Sequence, residues 1–562
     1  VFMDGMTGRL FREFSIVVSG SVIISSFAAL TFTPMLATKL LIKREKQSWF
    51  YRKTEPFFEG MNNLYSRSLA AFLRKRWIAL PFTAATILII GFLWNHIPAE
   101  MAPLEDRSQI SINTRGAEGV TYEYIRDYTE DINQLVDSIA PDAEAVTARV
   151  SSGSGNVRIT LKDMRDRDYT QMEVAEKLSK AVQKKTMARS FVQQSSSFGG
   201  RRGGMPVQYV LQATNIEKLQ EVLPKFMAKV YENPVFQMAD VDLKFSKPEA
   251  RININRDKAS IMGVSTRNIA QTLQYGLSGQ RMGYFYMNGK QYEILGEINR
   301  QQRNKPADLK GIYIRSDKGD MVQLDNLIEL TNGIAPPKLY RYNRFVSATI
   351  SAGLADGKTI GQGLDEMDKI AKETLDDTFR TALTGDSKEY RESSSSLMFA
   401  FILAILLIYL ILAAQFESFK DPLIIMLTVP LAIAGALVFM YFGGITMNIF
   451  SQIGIIMLIG LMAKNGILIV EFANQKQETG EDKMQAIKDA ALQRLRPILM
   501  TSASTVLGLI PLAFATGEGC NQRIAMGTAV VGGMLVSTLL TMYIVPAIYS
   551  YVSTNRSKLK NE

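Results

Sequence analysis

The chain has 562 residues, of which 47% are apolar and 21% are charged, and its formal net charge is +10. This composition is too polar for a protein made only of membrane helices, while its apolar residues are too strongly grouped for a soluble protein. The basic residues cluster beside apolar runs, as at the cytoplasmic ends of membrane spans, so the charge does not indicate nucleic-acid binding.

Seven apolar runs are long enough, at about 20 residues each, to span a bilayer. They cover residues 14–36, 78–97, 397–414, 423–442, 449–472, 498–515 and 527–552. No secretory signal precedes the first run, and the first residue is Val1. We therefore expect the chain to be the later part of a longer protein.

The distribution of basic residues predicts the orientation of the spans. Lys and Arg are concentrated after the first span, after the fifth span and in the tail, which places these segments in the cytoplasm. The opposite loops, 443–448 and 516–523, contain only Glu518 and Arg523 as charged residues. The long polar segment between Pro98 and Ser393 is then outside the membrane on the opposite side, which in a bacterium is the periplasm.

That polar segment contains an internal repeat. Its first unit has predicted strands at 108–116, 144–152, 157–163 and 188–195, with helices at 122–139 and 169–185, which is the β-α-β-β-α-β order of a ferredoxin-like fold. The second unit has predicted strands at 207–214, 239–246, 346–353 and 379–386, with helices at 217–231 and 360–375.

The second unit is interrupted by a stretch at about 248–342 with strand patterns of its own. These include 251–255, 311–314 and a hairpin at 284–293, in which Asn288-Gly289 is typical of a type I′ turn. A third small α+β domain is therefore predicted here. Serine- and glycine-rich loops are predicted at 151–155 and 193–205, the second of which contains Arg201 and Arg202.

The sequence offers little support for catalysis. Residues 353–359 precede a predicted helix as a phosphate-binding loop would, but three residues rather than four separate the glycines, so the stretch is interpreted as a helix N-terminus. No nucleophile–base pair or paired carboxylates stand out. Cys520 is the only cysteine and is interpreted as an unimportant loop thiol, and His96, the only histidine, as an interfacial residue. We predict no enzyme activity, cofactor or metal, and we expect an ion gradient to supply the energy for transport.

Lys464 lies near the middle of the fifth apolar run, where a charge costs at least about 2.5–3.5 kcal/mol and usually marks a function. Glu471 lies seven residues later on nearly the same helix face. The alternatives are a structural ion pair and a lysine that reaches one membrane surface.

Arg494 and Thr501, also seven residues apart, share a face of the sixth span, with Pro497 expected in its first turn. The three residues Lys464, Arg494 and Thr501 are predicted to line one polar track suited to proton transfer. Alternatively, Arg494 anchors the helix in the cytoplasm and Thr501 bonds its own helix backbone.

Residues 463–473 (AKNGILIVEFA) and 494–502 (RLRPILMTS) resemble the tenth and eleventh spans of the resistance–nodulation–division (RND) efflux pumps, above all the AcrB-like hydrophobe/amphiphile multidrug transporters. Residues 14–19 and 30–35 resemble the sixth span. The resemblance implies a polytopic α-helical membrane protein with 12 spans in the full chain, of which this chain is the C-terminal half. It also implies a periplasmic α+β insert of ferredoxin-like porter subdomains and a docking subdomain.

The resemblance divides the chain as follows: span 6 at 1–38, a basic cytoplasmic segment at 39–76, span 7 at 77–97, porter subdomain PC1 at 98–200, PC2 at 201–247 and 344–392, docking subdomain DC at 248–343, spans 8–12 at 393–553 and a cytoplasmic tail at 554–562. It further implies a homotrimer in the bacterial inner membrane, joined to a periplasmic adaptor and an outer-membrane channel. Such a system exports amphiphilic small molecules by proton antiport. The matching relay positions are Lys464, Arg494 and Thr501, with Asn465 and Glu471 adjacent; the family's aspartate pair lies on a span outside this chain.

One stretch departs from the family pattern. Drug pumps carry a Phe- and Gly-rich loop that lines an aromatic pocket, whereas the matching residues 145–156 contain no aromatic residue and include Arg149 and Ser152. Together with Phe191 and Gln193 these are the predicted substrate-cleft residues. Two alternatives to drug export are an RND relative that exports metal ions or lipids, and a non-transporting membrane scaffold that binds a periplasmic partner.

Overall fold

The computed structural model describes residues 5–40, 49–194, 205–335, 338–355 and 357–554. Arg201 and Arg202 of the predicted linker lie outside the described residues, as does nearly all of the predicted tail.

Within these described ranges, seven helices are long and apolar enough to cross a membrane, which agrees with the number predicted. They are α1 (Gly5–Leu40), α3 (Ala79–His96), α10 (Gly385–Phe416), α12 (Thr428–Phe442), α13 (Ile449–Glu478), α14 (Lys483–Ala513) and α15 (Cys520–Val552). Helix α2 (Trp49–Arg74) forms most of the basic segment, and the short α11 (Asp421–Met426) precedes α12.

Helix α14 corrects one expectation about the sixth span. It begins at Lys483, so Pro497 lies well inside the helix rather than in its first turn. The first half of α14 is amphipathic: Ala486, Ile487 and Ala490 are buried, while its other residues are largely polar. Only the second half of α14 is therefore a continuous apolar run.

Helices α12, α13 and α15 form the centre of the membrane region. Between 61% and 67% of the residues in their most apolar segments are buried, compared with at most 17% for α1, α3, α10 and α14. Glycines permit this close packing: a Cβ at Gly533 would lie 2.8 Å from the carbonyl oxygen of Ala432, and a Cβ at Gly527 would lie 2.5 Å from the backbone nitrogen of Ala513.

The first unit of the insert contains β1 (Gln109–Arg115), α4 (Tyr122–Ile139), β2 (Ala145–Ser151), β3 (Ser154–Thr160), α5 (Gln171–Val182) and β4 (Arg189–Gln194). The sheet has the order β2-β3-β1-β4, and all neighbours are antiparallel, as in a ferredoxin-like fold. The apolar side chains of α4 and α5 pack on one face of this sheet, around Ile112, Val157 and Leu178. The opposite face carries no helix of this unit.

The second unit repeats this order with β5 (Val207–Ala213), α6 (Ile216–Glu232), β6 (Phe236–Val241), β14 (Phe345–Leu354), α9 (Ile360–Thr374) and β15 (Arg380–Leu383). Strands pair as β6-β14-β5-β15, and the short β13 (Tyr340–Tyr342) joins β14. Strand β6 begins three residues earlier than predicted and ends five residues earlier, since predicted strand 239–246 is observed at 236–241. Thr359 caps α9, as expected for residues 353–359.

Helix α10 follows β15 almost directly, because Thr384 occupies its N-cap position; the strand predicted at 379–386 therefore ends at Leu383. The hydroxyl of Ser387 donates to the carbonyl oxygen of Pro206 at 3.1 Å and accepts from the backbone N–H of Gln208 at 2.7 Å. These bonds fix the start of α10 to the second unit.

A separate compact unit comprises residues 243–340 together with 116–124. It contains β7 (Lys247–Ile254), α7 (Arg256–Ile261), α8 (Thr266–Leu277), β8 (Gln280–Met287), β9 (Lys290–Gly296), β10 (Tyr313–Arg315), β11 (Met321–Gln323) and β12 (Ile328–Ala335). Asn288 and Gly289 have φ values of 52° and 72°, the positive values that a type I′ turn requires. The inclusion of 116–124 is not foreseen from the sequence; Arg300 binds Glu123 through both guanidinium nitrogens, at 2.6 and 3.0 Å.

Candidate functional site

A buried polar cluster joins three membrane helices. The side-chain nitrogen of Asn465 on α13 lies 3.3 Å from the hydroxyl of Ser502 on α14 and 3.4 Å from that of Thr538 on α15. The Thr538 hydroxyl donates to Ser502 at 3.2 Å, and all three residues are buried. Inside a membrane such bonds satisfy polar groups that lipid cannot, so the cluster fixes the rotation of the three helices.

Lys464 and Thr501 each precede a member of this cluster by one residue. The side chain of Lys464 is exposed and has no ion-pair or hydrogen-bond partner among the residues that the structure describes. Thr501 is half-buried, and its hydroxyl donates to the carbonyl oxygen of Ile498 at 3.2 Å. The Asn465–Ser502 contact therefore places Lys464 and Thr501 side by side on neighbouring helices, but without direct contact.

Arg494 lies seven residues before Thr501, about two helical turns closer to the start of α14. Its guanidinium carbon lies 4.4 Å from the centre of the Phe472 ring, and its buried Nε has no hydrogen-bond partner in the described part of the chain. Glu471, on the same helix as Phe472, accepts a hydrogen bond from Gln475 at 3.0 Å. Neither residue contacts Lys464, so the predicted polar track is not a continuous chain of contacts within these residues. Its role in proton transfer stays a prediction.

The second candidate site is the helix-free face of the sheet β2-β3-β1-β4, called here the arginine face. It is defined by the side chains that point away from α4 and α5. In adjacent strands these pair in rows: Arg149 lies opposite Asn156, Asn156 opposite Asn113, and Asn113 opposite Phe191. The next row is Thr147, Arg158, Ser111 and Gln193, and the end row is Ser151, Ser154, Arg115 and Arg189.

A ladder of amide side chains runs across the arginine face. Asn156 donates to the side-chain oxygen of Asn113 at 2.8 Å, and Asn113 donates to that of Gln193 at 3.0 Å. An open cavity of about 290 Å³ lies over this part of the sheet, and Arg149, Asn113, Asn156 and Phe191 are among the residues that line it.

The structure brings some of the predicted cleft residues together. Arg149 and Phe191 line the same cavity. Gln193 does not line it but accepts a hydrogen bond from Asn113, which does. Ser152 lies instead in the turn between β2 and β3, where Gly153 has a φ of 80°, and it does not line this cavity. Contact of these residues with a substrate stays a prediction.

Charge on the arginine face is only partly compensated. Asp240 of β6 lies 3.3 Å from Arg115 and 3.4 Å from Arg189. A hydrogen bond to the Tyr231 hydroxyl, together with the charge of Asp240, raises the pKa of Arg189. Arg149 and Arg158 are exposed and have no ion-pair partner within the described residues.

Two adjacent carboxylates lie between α3 and the first sheet. Glu105 is fully buried and accepts hydrogen bonds from the backbone N–H groups of Gln522, at 2.9 Å, and Asn521, at 3.4 Å. Asp106 accepts from the backbone N–H of Gln171, at 2.8 Å, and forms an ion pair with the buried Arg167. One loop is thereby bonded to the first turns of α15 and α5.

Several of these residues are not identified from the sequence. Ser502 and Thr538 are hydroxyl residues inside apolar runs, which is a usable signal for helix–helix bonding, but nothing in the sequence pairs them with Asn465. Arg158 becomes notable only when the strand register is known. Over the described residues no group of three or more His, Cys, Asp or Glu side chains is arranged to hold a metal ion.

Comparison with known proteins relates the chain to a family of transporters. The model of the AcrB/AcrD/AcrF family matches residues 1–553. An uncharacterized transporter from Haemophilus influenzae is 31% identical over 569 residues, covering 99% of this chain and 55% of that protein. The chain therefore spans about half the length of the curated relative that it matches.

Proposed function

Because the chain belongs to the AcrB/AcrD/AcrF family of transporters, we propose that it is the C-terminal half of a proton-driven exporter of amphiphilic small molecules. Its multi-pass membrane character, with seven apolar helices, supports this proposal. The concentration of basic residues after the first span and in the tail supports a bacterial inner-membrane location, with the insert in the periplasm.

The observation that carries the proposal is the position of Lys464. It lies within a 30-residue apolar helix, next to the buried Asn465 cluster, and its exposed side chain has no partner in the described residues. A lysine at membrane depth requires a counter-charge or a polar path. We propose that the counter-charge is an aspartate pair on a span of the other half of the transporter.

The proposed cycle follows from electrostatics. An ionised carboxylate pair attracts the Lys464 ammonium, whereas a protonated pair does not. Protonation would then release Lys464, and we propose the hydroxyl of Thr501 on the neighbouring helix as its alternative partner. The Asn465–Ser502–Thr538 cluster bonds α13, α14 and α15 to one another. When Lys464 changes its partner, the three helices would therefore shift together, and the movement would not be confined to the Lys464 side chain.

Replacing Lys464 tests this proposal in the full-length protein. Lys464→Ala should abolish export of a fluorescent amphiphile from cells while the protein level and assembly remain close to wild type. Lys464→Arg should also fail, because a planar guanidinium differs in shape and hydration from an ammonium. Lys39→Ala is the matched control, since Lys39 is exposed at the last turn of α1 and should be dispensable. Near-wild-type export by Lys464→Ala would overturn the proton-relay role.

A homotrimer with a periplasmic adaptor and an outer-membrane channel completes the proposal. Strands β8 and β9 form an isolated two-stranded hairpin whose large apolar side chains are exposed on both faces, including Met282 at 72%, Tyr286 at 76% and Leu295 at 63%. A hairpin of this kind is marginally stable in water by itself. Its exposed apolar surface supports burial against another subunit or partner in the assembly.

A further inference from the structure

We propose that the arginine face binds the acidic head group of the exported molecule, so that anionic amphiphiles are the preferred substrates. This inference rests on the proposed export function and adds a substrate class to it.

All charged side chains of the four strands are positive, and all lie on one face of the sheet. Strands β1, β2, β3 and β4 contain four arginines, Arg115, Arg149, Arg158 and Arg189, and no aspartate, glutamate or lysine. All four arginines point to the helix-free face, because their register neighbours alternate with the buried side chains that pack on α4 and α5. Charges of one sign on one face create a positive potential there, so this face attracts anions.

The four arginines are not equivalent. Asp240 compensates Arg115 and Arg189 at one end of the sheet. Arg149 and Arg158 remain without an ion pair among the described residues, and both are exposed. Their positions in the register are diagonal, across β2 and β3, which separates their backbones by about 7–8 Å. Two long guanidinium side chains at that separation can contact one carboxylate, sulfate or phosphate group.

The surroundings of Arg149, which lines the cavity while Arg158 lies one row away from it, suit an amphiphile with an acidic end. Asn156 lies between Arg149 and Asn113, and its amide is held by the ladder to Asn113 and Gln193. Phe191 lines the same cavity at the other edge and is the only aromatic side chain in the four strands. The head group then contacts the Arg149 side of the cavity, and the apolar part of the molecule contacts Phe191.

Three probes with the same tail and different head groups test the proposal: decyl sulfate, decyltrimethylammonium and decyl maltoside. Cells that lack their other exporters are given the full-length protein, and the lowest inhibitory concentration of each probe is measured. The wild type should protect most strongly against decyl sulfate. Arg149→Ala combined with Arg158→Ala should reduce that protection about tenfold, as expected for the loss of charge-assisted contacts, and leave protection against decyltrimethylammonium unchanged.

Two control variants separate charge from structure. Arg149→Lys combined with Arg158→Lys keeps both positive charges and should retain most of the protection against decyl sulfate. Arg126→Ala removes an exposed arginine of α4, which pairs with Asp127 outside the arginine face, and should behave as wild type. Protein levels are compared by immunoblot.

The outcomes distinguish the two proposals. If the wild type protects against none of the three probes, the export function fails, and this inference fails with it. If the wild type exports the probes but the double alanine variant keeps its protection against decyl sulfate, only the anion-binding inference is overturned. An equal loss for all three probes also overturns it, because the arginines would then support the fold and not the head group.

Discussion

Glu105 and Asp106 are neighbours in the chain, yet each accepts hydrogen bonds from the first turn of a different helix. Glu105 binds the start of α15 in the membrane region, and Asp106 binds the start of α5 in the first unit of the insert. Helix α15 has no side-chain cap of its own, since Gly519 occupies the N-cap position, so Glu105 supplies the missing acceptor. The two carboxylates thereby bond one loop both to the membrane region and to the first unit of the insert.

Removing the Glu105 carboxylate should therefore destabilise the protein. Glu105→Ala leaves the N–H groups of Asn521 and Gln522 without their acceptor, which costs about 1–3 kcal/mol. We expect a lower melting temperature for the purified full-length protein, with a smaller effect for Glu105→Gln, which keeps one acceptor oxygen. Glu130→Ala, at an exposed position on α4, is the control. Equal melting temperatures for Glu105→Ala and wild type would contradict the capping role.

The Asn465 cluster should be energetically coupled. In a double-mutant cycle, Asn465→Leu and Ser502→Ala should show a coupling of about 0.6 kcal/mol, the average found for hydrogen bonds between membrane helices, and at most about 1.7 kcal/mol. Thermal unfolding in detergent supplies the measurement. Thr505→Ala is the matched control, because among the described residues the Thr505 hydroxyl bonds only to the carbonyl oxygen of Thr501 on its own helix, and it should not couple with Asn465. Additive effects of Asn465→Leu and Ser502→Ala would show that the contact contributes nothing.

The stability contributed by Glu100 should depend on pH. Burial raises the pKa of its carboxyl above the usual 4.5, although a hydrogen bond from Thr446 partly opposes this. A carboxyl with a raised pKa in the folded protein favours folding when it is protonated, and this contribution is lost as pH rises through that pKa. Glu100→Gln stays neutral, so its melting temperature should match the wild type below pH 4.5, exceed it as pH rises from there, and stay higher by a constant amount above the pKa of Glu100. A difference that does not change with pH would be evidence against this assignment.

Local signals account for the parts of the fold that the sequence predicts well. Helix α4 is observed at the predicted 122–139 because its apolar residues repeat with helical spacing, and the turn at Asn288-Gly289 depends on those two residues alone. The strand order of the first unit follows once the β-α-β-β-α-β pattern is recognised.

The remaining features depend on contacts between distant segments. The bonds of Asn465 to Ser502 and Thr538 join residues 37 and 73 positions apart, so no periodicity reveals them. The sequence identifies Arg149, because residues 145–156 lack the aromatic residues of the family pattern. That Arg158 lies beside Arg149 is known only from the register of β2 and β3. Lys464, in contrast, is identified from the sequence by its place inside an apolar run, while the described residues contain no hydrogen-bond or ion-pair partner for it.

Helix α10 has a mechanical consequence. It is a single helix of 32 residues, which at about 1.5 Å per residue is about 48 Å long, and its first turn is bonded to β5 through Ser387. If a rod of this length tilted rigidly by about 5° at the sheet, its opposite end would move by about 4 Å. A displacement of less than about 1 Å near β5 would then correspond to one of several ångströms at the membrane end of α10. The length of α10 sets the ratio between the two displacements.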